Sequence, residues 1–406
     1  MFSKTLAITL AGGIGSRLNP LTKERAKPAV PFGGKYRIID FVLTNCLHSG
    51  VRRVLVLTQY KSHSLQKHIR DGWSIFNPEL GEYITLVPPQ MRTGERWYTG
   101  TADAIYQNLY LLERSGAEHI IILPGDHIYR MDYAPMMEFH KKNNADMTVA
   151  CMEVGLHEAN QFGIMSLDEQ NRIVSFVEKP QQPEQFNASD NMALASMGVY
   201  IFSTTRLIEI LKQDAENTES SHDFGKDIIP NLIKEGSVCG YRFGSESGRV
   251  TPDRYWRDVG TLDAYYQANM DLLDQVPPMN LYQDDWPIRT YSGQHPPART
   301  VPGQYGSEGI SINSIISSGA VISGASSQRS ILFNNVYVAD EAQIHESILF
   351  EGVRIGRGCQ INRCIIDKNV DVPDDTCIGI NVNEDKARFK ISPNGVVVVP
   401  KGYEFE

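Results

Sequence analysis

A seventeen-residue repeat fills the C-terminal part of the chain and restricts its possible folds more than any other feature. Aliphatic residues recur at this spacing in four columns: Ile331, Ile348, Ile365; Val336, Val353, Val370; Val338, Ile355, Val372; Ile344, Ile361, Ile378. Ile315 and Val321 begin the first and third columns one coil earlier. A period near eighteen residues, with three short strands per coil and an inward aliphatic residue on each, predicts a left-handed parallel β-helix. The alternative is an irregular β-rich tail. Because such a solenoid has open ends and a flat flank, we expect a homo-oligomer.

Upstream of the repeat, the apolar pattern changes and predicts an α/β domain. Near-continuous apolar runs occupy residues 6–10, 54–57, 120–123 and 147–151. Such runs are typical of a parallel sheet with helical crossovers. One crossover helix can be read directly: Thr101 is placed to cap its start and Gly116 to end it. Ile105, Leu109 and Leu112 share one face of this helix.

A proline-rich stretch separates the two patterns. Six of the chain's 21 prolines lie between Pro277 and Pro302, without a sustained hydrophobic period. Such a composition is typical of an extended connector. The sequence therefore predicts three parts: an α/β domain over residues 1–275, a connector over residues 276–308 and the β-helix over residues 309–406.

Composition restricts the partners and the compartment. Hydrophobic residues make up 41% of the chain, and no run approaches the roughly eighteen apolar residues of a membrane span. A net charge of −9 argues against nucleic acid as the main partner. Met1 to Leu10 lacks the features of a secretory signal, and the six cysteines include no CxxC pair. We expect a cytoplasmic protein with reduced thiols and no membrane partner.

A glycine-rich turn follows the first apolar run, with the sequence Ala-Gly-Gly-Ile-Gly-Ser-Arg-Leu over residues 11–18. Backbone without Cβ atoms can approach a phosphate closely and turn its N–H groups towards it. Glycines also occur simply to form tight turns, so the turn alone does not decide. Arg17 and Lys27 are placed to neutralise a triphosphate, although solvated surface cations have the same appearance. The segment is neither a P-loop nor a complete GxGxxG motif.

Two aspartates are candidates for a metal site. Asp126 follows the apolar run 120–123, at the carboxyl edge of the expected sheet, where ligands of open α/β sheets bind. Asp258 precedes a second helix, which Thr261 is placed to cap. Carboxylates together with substrate phosphates are the usual ligands of magnesium. Each aspartate has the alternative of capping a helix.

Glu178 and Lys179 end another apolar strand, within the segment Phe-Val-Glu-Lys-Pro. A lysine there supplies a point charge for a sugar phosphate, and a glutamate accepts hydrogen bonds from sugar hydroxyls. An ordinary surface ion pair is the alternative. No histidine has HxxxH or HExxH spacing and no serine lies in a GxSxG elbow, so we expect neither imidazole-centred nor serine catalysis.

Taken together and in order, the motifs resemble those of bacterial glucose-1-phosphate adenylyltransferases. The segments are LAGGIGSRLNPLT, RAKPAV, YRIIDF, GTADAIYQN, LPGDHIY, FGIM, FVEKP, ASMGVYIF, SHDFGKDIIP and YWRDVGT, followed by the repeat. The resemblance covers nearly the entire chain. GGxGxR and KP are shared by sugar nucleotidyltransferases in general, whereas SHDFGKDIIP and YWRDVGT are more particular.

The resemblance implies a Rossmann-like nucleotidyltransferase domain, a left-handed β-helix, a homotetramer and Mg²⁺. The implied reaction transfers the adenylyl group of ATP to α-D-glucose 1-phosphate and releases pyrophosphate, for glycogen synthesis. The residues that match the family's nucleotide site are Gly12, Gly13, Gly15, Arg17 and Gly100, with Lys27 near the pyrophosphate. Those that match its sugar-phosphate site are Tyr98, Gly163, Glu178, Lys179 and Ser196. Arg17, Lys27 and Asp126 match catalytic positions, and Asp126 and Asp258 match metal-binding positions.

The regulatory positions depart from the family pattern. Family members respond to phosphorylated intermediates and adenine nucleotides, and Arg25, Arg37 and Arg114 match possible anion sites. Glu24, however, occupies the position of an activator-binding lysine in enteric relatives, and its carboxylate repels phosphate. The chain is also short at both termini relative to that pattern. We expect weakened activation by fructose 1,6-bisphosphate.

Three other functions have to be weighed. The first is a uridylyl-, thymidylyl- or guanylyltransferase, because the glycine turn and Lys27 handle phosphates common to all nucleoside triphosphates. The second is a regulatory subunit without turnover, against which the presence of Lys27, Asp126, Lys179 and Asp258 argues. The third is a hexapeptide-repeat acyltransferase, which needs a histidine between coils, and His345 is the only histidine in the coils.

Overall fold

The computed structural model describes residues 2–90, 97–182, 191–244, 249–250, 254–304 and 306–405. An α/β domain and a solenoid of short parallel strands make up these residues. The strands of the α/β domain are β1 Thr5–Ala11, β2 Pro31–Phe32, β3 Tyr36–Arg37, β4 Arg53–Thr58, β5 Tyr83–Val87, β6 His119–Pro124, β7 His127–Tyr129, β8 Met147–Gly155, β9 Gly163–Leu167, β10 Ile173–Glu178, β11 Met192–Ser203, β12 Val238–Arg242 and β13 Trp256–Asp258. Its helices are α1 Ile38–Ser49, α2 His63–Gly72, α3 Thr101–Tyr106, α4 Leu109–Ser115, α5 Tyr133–Lys142, α6 Leu156–Ala159, α7 Thr204–Glu216, α8 Ile229–Glu235 and α9 Leu262–Met270.

A mixed sheet forms the centre of the α/β domain. Its strand order is β10-β9-β11-β6-β1-β4-β5, with β8 paired to β11 and β12 paired to β8. β6, β1, β4 and β5 run parallel to one another. Successive residues of β1 enter two different buried clusters, Leu6 and Ile8 on one face and Ala7 on the other. Burial on both faces is what a continuous apolar run predicts, and the first three runs are these parallel strands.

The fourth apolar run needs a correction. It lies in β8, which is separated from β6 by β11, and β11 runs antiparallel to both strands. The sheet is therefore mixed and not purely parallel. Apolar runs do not reveal such a returning strand, because burial on both faces gives strands of either direction the same composition.

The crossover helix predicted after residue 100 is also different in detail. It divides into α3 and α4, and at the break the side-chain amide of Asn108 donates to the carbonyl of Ala104, a bond that competes with the regular backbone ladder. Gly100 occupies the N-cap position, so the prediction that Thr101 caps the helix is wrong. Gly116 ends α4 with φ of 61°, as predicted.

Three sheets form the β-helix, and their strands pair in parallel except β28, which runs antiparallel to β29. The first consists of β14 Arg299–Val301, β17 Val321–Ser323, β20 Tyr337–Val338, β23 Arg354–Ile355 and β26 Asp371–Val372. The second consists of β15 Ile310–Ile312, β18 Ser326–Gln328, β21 Gln343–His345, β24 Gln360–Asn362 and β27 Cys377–Ile378. The third consists of β16 Ile315–Ile316, β19 Ile331–Leu332, β22 Ile348–Leu349, β25 Cys364–Ile366, β28 Lys390–Ile391 and β29 Val397–Val399, and helix α10 Val382–Arg388 precedes β28. From residue 331 onwards all four predicted columns are buried, which confirms the stacked coils.

The first column is buried against the α/β domain and not inside the coils. Ile331, Ile348 and Ile365 share a cluster with residues of that domain such as Phe32 and Tyr265. The residues that follow them in the strands, Leu332, Leu349 and Ile366, belong to the cluster inside the solenoid. Because successive strand residues face opposite sides, and both are aliphatic here, the repeat alone did not reveal which residue points inwards.

The start of the solenoid also differs from the prediction. Val321 pairs with Tyr337, whereas Ile322 is the buried residue that pairs with Val338. The third column therefore starts at Ile322. β14, within the predicted connector, already pairs in parallel with β17. The β-helix thus begins at residue 299 and not at residue 309.

The connector is fixed to helix α1. The indole of Trp286 donates to the side-chain oxygen of Asn45 (3.3 Å), and the hydroxyl of Thr290 donates to Asp40 (2.7 Å). His68 and Trp73 also hydrogen-bond the buried Asp40 carboxylate. Specific polar contacts therefore fix the connector to the α/β domain. Among the described residues, no helix combines the length and apolarity needed to cross a membrane.

Candidate active site

A cavity of about 580 Å³ opens at the carboxyl edge of β1 and β6. Its size falls in the usual range for ligand pockets. The predicted site residues that line it are Gly12, Gly13, Tyr98, Gly100, Asp126, Glu178 and Lys179. A smaller cavity of about 240 Å³ shares Gly13 and Asp126 with it and is also lined by Gly15, Arg17 and Lys27. The structure therefore brings the glycine turn, the basic residues and Asp126 together.

The glycine turn passes between the two cavities. Gly15 has a φ of 65°, in the left-handed region that glycine tolerates best, and a short 3₁₀ turn over Ser16–Leu18 follows it. A Cβ atom on Gly12 would lie 3.2 Å from the Cβ of Gln59. The backbone at Gly12 is thus close to the cavity wall, where a larger residue would press on Gln59.

Lys27 lies between the two aspartates. Its ammonium nitrogen is 2.8 Å from an oxygen of Asp126 and 2.8 Å from an oxygen of Asp258. Burial alone would lower the pKa of Lys27, but the two carboxylates outweigh it and raise the pKa. Burial would raise the pKa of Asp126, but Lys27 and His127 lower it to about 2. Lys27 and Asp126 are therefore both charged near neutral pH.

The same carboxylates are suited to a divalent metal. Ligand atoms of Asp126, His127 and Asp258 lie within 4.8 Å of one another. The Asp126 side chain is 34% exposed and that of Asp258 is 24% exposed, so both face accessible space. Two carboxylates that leave room for water and phosphate oxygens fit the coordination of a hard cation. The structure therefore brings together Asp126 and Asp258, the two aspartates considered from the sequence as candidates for a metal site.

A second wall of the cavity carries Glu178 and Lys179. Their charged groups are 3.1 Å apart, and Lys179 has a φ of 49°. Gly163 pairs with Glu178 across β9 and β10, and a Cβ atom at Gly163 would meet the Glu178 carboxylate at 2.8 Å. Gly163 and Ser196 do not line the cavity. Ser196 is buried, and its hydroxyl accepts a hydrogen bond from the Gly198 amide.

Several cavity residues were missed by the sequence analysis. Asp223, Gly225, Gln59, Tyr60 and His127 line the same cavity. The Asp223 carboxylate accepts hydrogen bonds from Thr101 and from the amides of Gly225 and Lys226. The segment SHDFGKDIIP contributed to the family resemblance, but nothing in its composition indicated that it folds back onto α3.

The positions considered for effectors lie elsewhere. The guanidinium of Arg25 forms two hydrogen bonds of 2.9 Å with Asp367 of the β-helix, and both side chains are buried. Arg37 donates to the carbonyls of Ala29 and Ser64, and burial lowers its pKa. Glu24 pairs with Lys401 at 2.6 Å.

Arg114, the third arginine of this set, is exposed on α4 and lies over the ring of Tyr110. Arg25 already has a carboxylate partner, so it does not offer a free guanidinium to an anion in this structure.

Comparisons with known proteins agree with this architecture. A family model described as nucleotidyl transferase matches residues 6–275, and one described as a GlmU-like C-terminal hexapeptide domain matches residues 296–399. The chain is 65% identical to glucose-1-phosphate adenylyltransferase 2 of Vibrio vulnificus over 98% of this chain and 99% of that protein. The chain belongs to the glucose-1-phosphate adenylyltransferase family. Within this family, it is also 62% identical to the second enzyme of Vibrio cholerae over 99% of this chain and 98% of that protein, and 49% identical to the enzyme of Dechloromonas aromatica over 97% and 90%.

Membership of the glucose-1-phosphate adenylyltransferase family gives the cavity a chemical context. Nucleotidyl transferases use a divalent metal, and Asp126 and Asp258 offer the oxygen ligands such a metal requires. The acyltransferase alternative is not supported, although the C-terminal coils match the hexapeptide model. The side chain of His345, the histidine considered for that chemistry, is exposed and hydrogen-bonds Asn362.

Proposed function

We propose that this protein transfers the adenylyl group of ATP to α-D-glucose 1-phosphate and releases pyrophosphate. The observation that carries the proposal is the pair of adjoining cavities that share Gly13 and Asp126. The glycine turn, Lys27 and Glu178 line them, and Asp258 pairs with Lys27 at their border. The names of the full-length relatives support the same reaction. The product supplies activated glucose for glycogen synthesis.

The reaction needs charge neutralisation more than proton transfer. A phosphate oxygen of glucose 1-phosphate attacks the α-phosphorus of ATP in line, and the bond from that phosphorus to the leaving pyrophosphate breaks. The attacking phosphate is already ionised near neutral pH, so no general base is required. Arg17 and Lys27 neutralise the charge of the triphosphate and of the leaving pyrophosphate, and the backbone of Gly12, Gly13 and Gly15 approaches the phosphates.

The opposite wall receives the sugar phosphate. In the proposal, Lys179 pairs with the phosphate of glucose 1-phosphate, and Glu178 accepts hydrogen bonds from sugar hydroxyls. Tyr98 supports the same wall, where its hydroxyl accepts a hydrogen bond from Asn108 (2.9 Å). Gly163 and Ser196 act from behind the wall: Gly163 leaves room for the Glu178 carboxylate, and Ser196 fixes the turn at Gly198. Gly100 lies in the wall of the cavity that receives the nucleotide.

The proposed metal is Mg²⁺, held by Asp126 and Asp258. When bound, Mg²⁺ neutralises phosphate charge and polarises the phosphoryl oxygens. The buried ammonium group of Lys27 pairs with both carboxylates and holds them in position. Two carboxylates would fill only some of the coordination positions of Mg²⁺, which suits an ion that retains several water or phosphate ligands.

Product analysis tests the proposal. With ATP, glucose 1-phosphate and Mg²⁺, we expect ADP-glucose and pyrophosphate to form in a one-to-one ratio. A Lys179→Gln protein should raise the KM for glucose 1-phosphate by at least about ten-fold, because a single phosphate-pairing cation is lost, and should leave the KM for ATP nearly unchanged. An equal rise in both KM values would contradict the assignment of this wall to the sugar phosphate.

The two alternatives within the family make different predictions. A sister enzyme would use UTP, dTTP or GTP in place of ATP, and a regulatory subunit would bind ligands without turnover. The charged group of Lys27, Asp126 and Asp258 favours a catalytic chain, because a subunit without turnover has no need of it. We also propose that the protein assembles as a homotetramer through the β-helix.

Activation by fructose 1,6-bisphosphate should be weak. Glu24 forms an ion pair with Lys401, and this contact both occupies the lysine and places a carboxylate where a phosphate would bind. The pairing also lowers the pKa of Glu24, so this carboxylate is ionised at neutral pH. We expect less than about two-fold activation in the wild-type protein and a larger response in Glu24→Lys, measured as initial rate against effector concentration. Strong activation of the wild-type protein at micromolar effector would contradict this.

A further inference from the structure

Two walls of the active-site cavity come together at His222. Thr99, Gly100 and Thr101 line one wall, and Asp223, Phe224 and Gly225 line the other. The carbonyl oxygen of His222 accepts hydrogen bonds from the amides of Ala102 (2.8 Å) and Asp103 (3.4 Å). These amides are in the first turn of α3 and lack partners within that helix, so the His222 carbonyl satisfies them.

The two walls are in close contact where Gly100 meets His222. A Cβ atom on Gly100 would collide with the His222 carbonyl, so only glycine fits at this point of the nucleotide wall. Next to it, the hydroxyl of Thr101 donates to Asp223 (3.0 Å) and accepts from the amide of Phe224 (3.0 Å). The relative position of the two walls therefore depends on where the backbone of residues 222–224 lies.

His222 is held in an unusual backbone conformation. Its φ is 55°, in the left-handed region that non-glycine residues seldom occupy. The Nδ1 atom of its imidazole donates to the Asp214 carboxylate at 2.7 Å, at the end of helix α7. The second oxygen of Asp214 accepts from the hydroxyl of Ser220 (2.6 Å), and that hydroxyl in turn accepts from the His222 amide (2.9 Å). Asp214 and Ser220 together provide the contacts that hold the residue in this conformation.

We propose that His222 is a positioning residue for the reaction, and that Asp214 holds it in place. The pair fixes the His222 carbonyl against Gly100 and α3, and so sets the distance between the wall that receives the nucleotide and the wall that receives the sugar phosphate. His222 does not line the cavity, so it acts through Gly100 and Asp223. The proposal rests on the function assigned above.

The proposal predicts changes in substrate binding that a purely structural role does not. In His222→Ala, we expect the KM for both ATP and glucose 1-phosphate to rise about ten-fold, because both walls lose their common support. His222→Asn should restore both values to within about three-fold of wild type, because asparagine tolerates the left-handed region and its amide can donate to Asp214.

A glycine variant separates backbone strain from the imidazole contact. His222→Gly adopts the required φ without strain but loses the bond to Asp214, and we expect KM values between those of the alanine variant and wild type. This glycine variant also keeps the test decisive if the alanine variant does not fold. The control is His157→Ala, which removes an exposed histidine that is 3.9 Å from Glu158 and does not line the cavity. Its KM values should equal those of wild type.

Steady-state kinetics and thermal unfolding of the four variants and the wild type test whether His222 positions the two walls. A rise of both KM values in the folded His222→Ala and His222→Gly proteins, with recovery in His222→Asn, supports the positioning role. Folded alanine and glycine variants with unchanged KM values, whether or not their Tm falls, overturn it. The wild-type assay tests the proposed function separately, because failure of the wild type to form ADP-glucose would refute that function without reference to His222.

Discussion

Replacing Asp126 with alanine should reduce kcat by about a thousand-fold or more while the protein remains folded. Loss of a preorganised charged group at a phosphoryl-transfer centre has effects of this order or larger. The Asp126 side chain is one-third exposed, and Lys27 keeps Asp258 as a partner when Asp126 is removed, so we expect the protein to fold. The measurements are initial rates with saturating substrates and Mg²⁺, together with circular dichroism and Tm.

The control for this prediction is Asp284→Ala, which removes an exposed carboxylate in the connector. Its kcat should remain within about two-fold of wild type, because a surface substitution away from the site has little effect. Asp126→Asn should be nearly as inactive as Asp126→Ala, since it keeps the shape of the side chain and loses the charge. A folded Asp126→Ala protein with near wild-type turnover would refute the assignment of Asp126.

Replacing Arg25 with methionine should lower the free energy of unfolding by about 3–5 kcal/mol. The Arg25 and Asp367 side chains are only 6% and 1% exposed, and removal of one partner leaves the other charge buried and unpaired. The pair joins residues 342 positions apart, so it attaches the β-helix to the segment that carries Lys27. Urea unfolding of the full chain measures the loss.

The double variant Arg25→Met with Asp367→Leu is the decisive comparison for this pair. It removes both charges and should be clearly more stable than Arg25→Met alone, because apolar residues of similar volume replace the pair. Lys401→Ala, which breaks the exposed pair with Glu24, should change stability little. Equal stability of the single and double variants would show that an unpaired Asp367 carries no cost.

Sequence periodicity was most informative where one pattern repeats in space. The stacked coils follow directly from the seventeen-residue repeat, and from residue 331 onwards all four columns are buried. Periodicity was not informative where two neighbouring residues are both aliphatic. Ile331 and Leu332 are both aliphatic, and only the packing of the α/β domain against the solenoid determines that Ile331 faces outwards from the coil.

Some active-site residues could likewise be predicted from a local sequence pattern, and others could not. Asp126 could be found because its place after an apolar strand is a local feature of the sequence. Asp223 could not, because it reaches the cavity by folding back onto Thr101, 122 residues earlier in the chain. Asp367, the partner of Arg25, and Thr290, one partner of the Asp40 carboxylate, are also distant in sequence. Contacts of this kind arise from tertiary packing, and no local pattern in a single sequence indicates them.

The most direct test of the proposed reaction is pyrophosphate release by the purified protein with glucose 1-phosphate and Mg²⁺, compared among ATP, UTP, dTTP and GTP. We expect turnover with ATP to exceed turnover with each of the other nucleotides by at least about ten-fold. Preferential turnover of another nucleotide would contradict the adenylyl assignment, and the absence of turnover with all four would contradict a catalytic role for the chain.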